Sequence, residues 1–128
     1  MSYADVVEGI RATIAAYTHA LDDGRTDDIV ALFCADGAVD LPGMGVIEGH
    51  EALRVAFTKW RPRVPQRHIV AITVVTEWND AGATALSDLV FLLKGEAGWS
   101  TQMVGRYRDT LHREGETWRF HRRVLTAD

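Results

Sequence analysis

His68 opens an apolar run, RHIVAITV at residues 67–74, and histidine is the side chain best suited to moving protons near neutral pH. Strand side chains alternate between two faces, and counting by twos groups His68 with Val70, Ile72, Val74, Thr76 and Trp78, the more apolar face. Alone in an apolar pocket an imidazole loses basicity, because desolvation disfavours its cation. His68 is therefore either a satisfied structural residue or a base with a partner. Tyr17 lies on the inward stripe of a helix, as a core aromatic or as a donor to a developing oxyanion. Asp88 shares a face with Leu86, Val90 and Leu92, where a carboxylate needs a partner. His19 is nearly opposite the apolar stripe and suits the surface, whereas His121 shares a strand face with Arg119 and Arg123. Phe33, Met44, Leu53, Phe57, Trp60, Trp78, Met103 and Tyr107 are candidates to line a pocket for a small hydrophobic ligand, or to pack a core.

The elements that must position these residues fall into two blocks. Val7, Ile10, Ile14, Tyr17 and Leu21 make one continuous helical stripe, which Gly24 ends. Thr26 can cap a second helix running through Ile29, Val30, Leu32 and Phe33. Ala38–Leu41 reads as a short strand before the loop PGMG (42–45), and Val46–Ile47 can pair back. A third helix starts near Gly49 or His50 and ends by Arg61, because Pro62 and Pro65 follow. From residue 67 the pattern turns to long β-segments, about 67–78, 83–94, 99–113 and 116–126. They are separated by NDAG, GEAG and EG, links short enough to imply antiparallel hairpins. The expectation is an α+β domain over residues 1–128: three helices, then a curved, mainly antiparallel sheet of four to six strands. Residues 83–94 are apolar on both faces, so the helices should cover one side and a second subunit the other.

Composition narrows the class. Hydrophobic residues make up 47% and charged residues 25%, as in an ordinary globular protein, and a net charge of −4 argues against a nucleic-acid binder. The basic stretch RFHRR (119–123) reads as a solvated or ion-paired strand face. Cys34 is the only cysteine, so an internal disulfide and a cysteine-based zinc site are excluded. The five histidines are scattered, with no pair on one helix face, and no metal site is expected. The N-terminus has no basic head followed by an apolar run, and no stretch is long and apolar enough to span a membrane. A cytoplasmic location is expected.

The stretch YTHALDDGRTDDIVALFCADGAVDLPGMGVIEGHEAL, then RHIV, VGRYRDTL and TWRFHRRV, resembles the SnoaL-like branch of the nuclear-transport-factor-2-like superfamily. The resemblance covers nearly the whole chain and implies a cone: a curved sheet wrapped on helices around an apolar pocket, commonly dimerised through the outer sheet face. It also implies candidate chemistries. Tyr17 matches the oxyanion-hole tyrosine of ketosteroid isomerase. That enzyme's base falls on Leu41 and its second acid on about Gly105, so steroid isomerisation is not expected. Limonene epoxide hydrolase needs an arginine between two inward acids, and here the pocket strand offers only Tyr107 and Asp109. Scytalone dehydratase and hexachlorocyclohexane dehydrochlorinase share an aspartate at the end of helix 1 that holds a histidine opening the first long strand. Asp22, or its neighbour Asp23, matches the former and His68 the latter. By periodicity Asp22 lies about 100° from the centre of the apolar stripe, so a cap of the helical turn is its other reading.

A carboxylate on one ring nitrogen fixes the histidine tautomer and stabilises the cation formed when the other nitrogen takes a proton. The resemblance thus implies a cofactor-independent acid–base enzyme of dehydratase (lyase), isomerase or cyclase type, acting on a small hydrophobic or polyketide-like molecule. His68 would be its base, Asp22 the orienter and Tyr17 a hydrogen-bond donor. Two other expectations stand beside it: a non-catalytic ligand-binding domain, and a structural partner like the small subunits of ring-hydroxylating dioxygenases. A homodimer is expected, with no nucleic acid and no membrane as partner.

Overall fold

The computed structural model describes residues Met1–Asp128. Helix α1 runs Tyr3–Asp23. The Ser2 hydroxyl accepts the Asp5 N–H at 3.1 Å while the Asp5 carboxylate accepts the Ser2 N–H at 3.0 Å, a capping box, and Gly24 closes the other end at φ 69°. Its buried face is Val6, Ile10, Thr13, Ile14, Tyr17 and Ala20, and Val7 and Leu21 pack along the edges. Helix α2 (Thr26–Val30) is shorter than its apolar pattern suggests, because the chain extends at Phe33 to begin strand β1 (Phe33–Leu41). There the Leu32 carbonyl accepts the Phe120 N–H at 2.8 Å. Strand β2 (Gly45–Glu48) returns from the PGMG loop, and helix α3 (His50–Lys59) ends before the prolines.

Strands β3 (Gln66–Trp78), β4 (Gly82–Gly95), β5 (Gly98–Glu114) and β6 (Thr117–Ala127) form the expected antiparallel meander. One pairing was not expected: β1 lies parallel to β6, so the sheet has six strands in the order β2-β1-β6-β5-β4-β3. The curved, unclosed sheet and three helices make an α+β cone. A core of 17 residues fills it between the three helices and the sheet.

Bulges give the sheet its curvature and decide which side chains face inward. In β3 the register shifts between Ala71 and Val74, and Ile72 adopts φ 55°. The single inward face expected for His68–Trp78 therefore breaks. His68 and Val70 face in, Ile72 and Val74 are exposed, and Val75 turns into the core. A second shift, between Thr110 and Leu111 in the β5–β6 pair, sets Asp109 opposite Arg123. Arg123 is consequently fully buried, on the opposite face from Arg119 and His121. Of the reading of RFHRR as a solvated or ion-paired strand face, the solvated alternative fails at Arg123, whose Nε lies 3.1 Å from the Asp109 carboxylate inside the cone.

Gly9, Gly37 and Gly105 mark where backbone or ring comes too close for a side chain. A Cβ at Gly9 would lie 2.6 Å from the Trp118 ring, which rests on α1. Nearby the Thr13 hydroxyl donates to the Trp118 carbonyl at 2.6 Å. A Cβ at Gly105 would lie 2.6 Å from the Thr126 carbonyl oxygen and 3.1 Å from Leu125 Cδ1. Backbone cannot yield as a flexible side chain can, so Gly105→Ala should destabilise the fold by about 1–3 kcal/mol, read by urea unfolding. The same crowding means that no acid could be accommodated at this position.

Candidate active site

Helix α1 ends where β3 begins, and this juxtaposition joins Asp22 to His68. The Nδ1–H of His68 donates to Asp22 Oδ1 at 2.6 Å, and the His68 backbone N–H donates to Oδ2 at 2.9 Å. Gln66, two residues earlier on the same strand face, donates its Nε2–H to Oδ1 at 3.2 Å and to the Leu21 carbonyl at 3.4 Å. Three donors therefore converge on one carboxylate, and both side chains of the central pair are largely covered. Asp23 is exposed and pairs with Arg25 at 3.4 Å instead, so Asp22 is the residue in contact. The His68 ring stacks on Phe91 with centroids 4.4 Å apart, and Nε2 is its free ring nitrogen.

Burial pushes the Asp22 carboxyl up, but the hydrogen bonds from the His68 ring and backbone, with that residue's charge and Gln66, outweigh it. The result lies below the usual carboxylate value, which keeps Asp22 ionised at neutral pH. A lowered carboxylate contributes stability that is present above its unfolded-state pKa and lost as pH falls through the folded one. Asp22→Asn should therefore flatten the acid limb of the stability–pH curve, measured by urea unfolding at successive pH values.

His68 lines a cavity of about 190 Å³. Tyr17 and Leu21 of α1, Phe57 of α3 with Trp60 just beyond its end, and Leu89 and Phe91 of β4 form much of its wall. Tyr107, Met103 and Leu125 come from β5 and β6, and Pro42 and Met44 of the PGMG loop border it. The engineered protein cavity that accepts benzene measures about 150 Å³, so this one suits a ligand of one or two rings. Most lining side chains are apolar; the polar ones are Tyr17, Tyr107, Gln66 and His68.

Of the eight residues proposed from sequence as ligand-lining, Met44, Phe57, Trp60, Met103 and Tyr107 border the cavity. The other three do not. Phe33 and Leu53 are fully buried in the main core, since β1 and α3 turn them toward each other's neighbours. Trp78 lies at the far end of β3 against Tyr3, ring centroids 6.0 Å apart. Asp88 finds its partner outside the cavity, accepting from Arg106 Nε at 2.8 Å. His19 is exposed, as expected, and His121 stacks on His112 and lies 3.6 Å from Asp36. Sequence reading missed Gln66, which counting back by two from His68 would have found. It also missed Phe91, opposite His68 in the β3–β4 register, and Arg123.

No group of three or more potential metal ligands occurs, and no helix is long and apolar enough to cross a membrane. No curated protein matches the chain. Among solved structures, a single-substitution variant of Rv3472 from Mycobacterium tuberculosis, a protein of unknown function, is 29% identical, with 95% of this chain and 71% of that one covered at a TM-score of 0.89. An NTF2-like protein with a cystatin-like fold from Novosphingobium aromaticivorans is 24% identical, covering 94% and 80% at 0.86. A scytalone dehydratase-like protein from the same organism is 20% identical, covering 100% and 89% at 0.85. The two Novosphingobium structures share the cone fold, and the sequence matches the SnoaL-like domain family over residues 2–124: the chain belongs to that family.

Proposed function

We propose that this protein is a cofactor-independent acid–base enzyme of lyase, isomerase or cyclase type, acting on a small hydrophobic cyclic molecule. The observation that carries the reading is the 2.6 Å contact between Asp22 and His68 Nδ1 in the wall of an apolar cavity. His68 Nε2 takes a proton from a carbon next to an activating carbonyl, and Asp22 stabilises the imidazolium that forms. The electron pair moves onto the carbonyl oxygen. The imidazolium then returns the proton to another carbon, or to a leaving group. A homodimer through the outer sheet face, where Val90 and Leu92 are only part-buried, belongs to the same proposal.

The test is proton exchange. 2-Tetralone, a two-ring ketone, is incubated with the protein in D₂O and deuterium at its α-carbons is followed by NMR. Exchange well above the buffer rate is expected. Exchange at the buffer rate for tetralone and for smaller ketones that bind would overturn the enzymatic reading in favour of a binding domain.

A further inference from the structure

A second hollow adjoins the cavity on its outer side. It is a groove of about 730 Å³ between helix α3 and strand β2. Of the residues around the two hollows, Met44 and Trp60 alone border both. The partition is therefore one thioether and one indole.

The two halves of that partition differ. Trp60 is part-buried against the core and meets Phe57 edge-on, ring centroids 5.3 Å apart. Met44 is 56% exposed and rides on the PGMG turn, where its N–H donates to the Leu41 carbonyl at 3.1 Å. Gly43 and Gly45 flank it at φ 76° and 72°, and a Cβ on either would meet nothing within 4 Å. An unbranched thioether with open space around its turn can swing aside without moving backbone. Met44 is the movable half and Trp60 the fixed one.

The groove suits a chain rather than a second ring. β2 and α3 join at Gly49 and lie against each other, so Met44 and Trp60 stand at one end and Glu48 and Glu51 at the other. From Trp60 to Glu51 the groove follows α3 for about 13 Å. Ala52 and Ala56, one turn apart on α3, are too small to fill the space beside Val55 and Ile47. Val55 is 53% exposed, and covering an apolar side chain left half in water is favourable.

We propose that the α3–β2 groove is a second binding site, which takes an apolar chain attached to the ring held in the cavity. The chain passes between Met44 and Trp60, and the ligand class is a ring ketone with an unbranched alkyl side chain. Glu48 and Glu51 at the far end disfavour a terminal carboxylate. The assignment rests on the cavity being the ring site of the proposed enzyme, since continuity with that cavity is what names the occupant.

Alkyl phenyl ketones test the groove: acetophenone, butyrophenone, hexanophenone and octanophenone, with affinities read by calorimetric titration. Wild type should bind each longer ketone about two- to four-fold more tightly per added methylene. Ala52→Gln lies on the exposed face of α3, where a long polar side chain fills the groove without disturbing the core. That variant should bind acetophenone as wild type does and gain little beyond butyrophenone. Increments that survive in Ala52→Gln, or a flat series from butyrophenone upward in wild type, would overturn the groove and leave the cavity reading standing. An altered sedimentation coefficient for Ala52→Gln would give the groove to a second copy of the chain and overturn it as a ligand site. Chain-dependent binding without deuterium uptake at the ketone α-carbon would support the groove and overturn the base. Failure of every ketone to bind would overturn ring site and groove together.

Discussion

His68→Gln should lower the rate of α-proton exchange by about 10²–10⁴-fold while leaving the fold and ligand binding in place. The fold should survive because the glutamine amide can still donate to Asp22, and the His68 backbone N–H bond to that carboxylate is untouched. What disappears is the group able to take and return a proton. Asp22→Asn should lower the rate by a comparable factor for a different reason. Three donors converge on the two Asp22 oxygens, whereas an amide offers one acceptor oxygen and an NH₂ group. If that NH₂ faces the ring, Nδ1 must accept, the ring proton moves to Nε2, and the lone pair able to take a substrate proton is lost. The double variant should be little slower than His68→Gln alone, because groups acting as a unit are not additive. Rates that multiplied would mean that the two residues act independently, which would sink the paired mechanism. The readout is the initial rate of deuterium incorporation at saturating ketone.

Most of the fold was legible because glycines and prolines punctuate it. Gly24, the PGMG loop, Pro62 and the three glycine-containing hairpin links set boundaries that the elements follow within a few residues. Helix α1 was legible from its period, although its buried face is centred differently from the stripe drawn through Val7 and Leu21. The pairing of β1 with β6 was not legible, because a parallel contact between distant segments leaves no turn signal. The bulges were not legible either, and they matter most at the cavity. Counting back from the β5–β6 turn, Glu114 meets Thr117 and Leu111 meets Phe120, which would set Asp109 against Arg122. The one-residue shift after Leu111 brings Arg123 there instead, and turns that side chain inward. A search for an arginine and an acid on one strand therefore missed a pair made across two strands. The contact of Asp22 with His68 is the reverse case. Periodicity alone left Asp22 off the apolar face, and family resemblance supplied what the helical wheel could not. Asp22 reaches His68 from the last turn of α1, beside the start of β3, rather than from the centre of the helix stripe.

The buried pair should also give the largest stability effect in the molecule. Asp109→Leu leaves the Arg123 cation fully buried with no counter-charge, and arginine cannot shed its proton. Breaking a buried pair in this way costs about 3–5 kcal/mol. For a chain of this length that is a fall in Tm of roughly 10–20 °C. Arg123→Met should cost less, because the stranded Asp109 can take up a proton. Burial already pushes that carboxyl up to about 6, with Arg123 pulling it the other way, and removing Arg123 can only raise it further. The sign of the pH dependence follows. A raised carboxylate favours the folded state fully below its unfolded-state pKa, and that contribution is lost as pH rises through about 6. The Arg123→Met deficit should therefore shrink on acidification, while the Asp109→Leu deficit should widen, because wild type gains from protonating Asp109 and that variant cannot. Replacing both residues removes two buried charges at once, and the double variant should be about as stable as wild type or more so. Thermal unfolding of the three variants at two pH values separates these outcomes. A double variant as unstable as Asp109→Leu would show that the pair holds the cone together through its packing. The reason for burying it would then be structural.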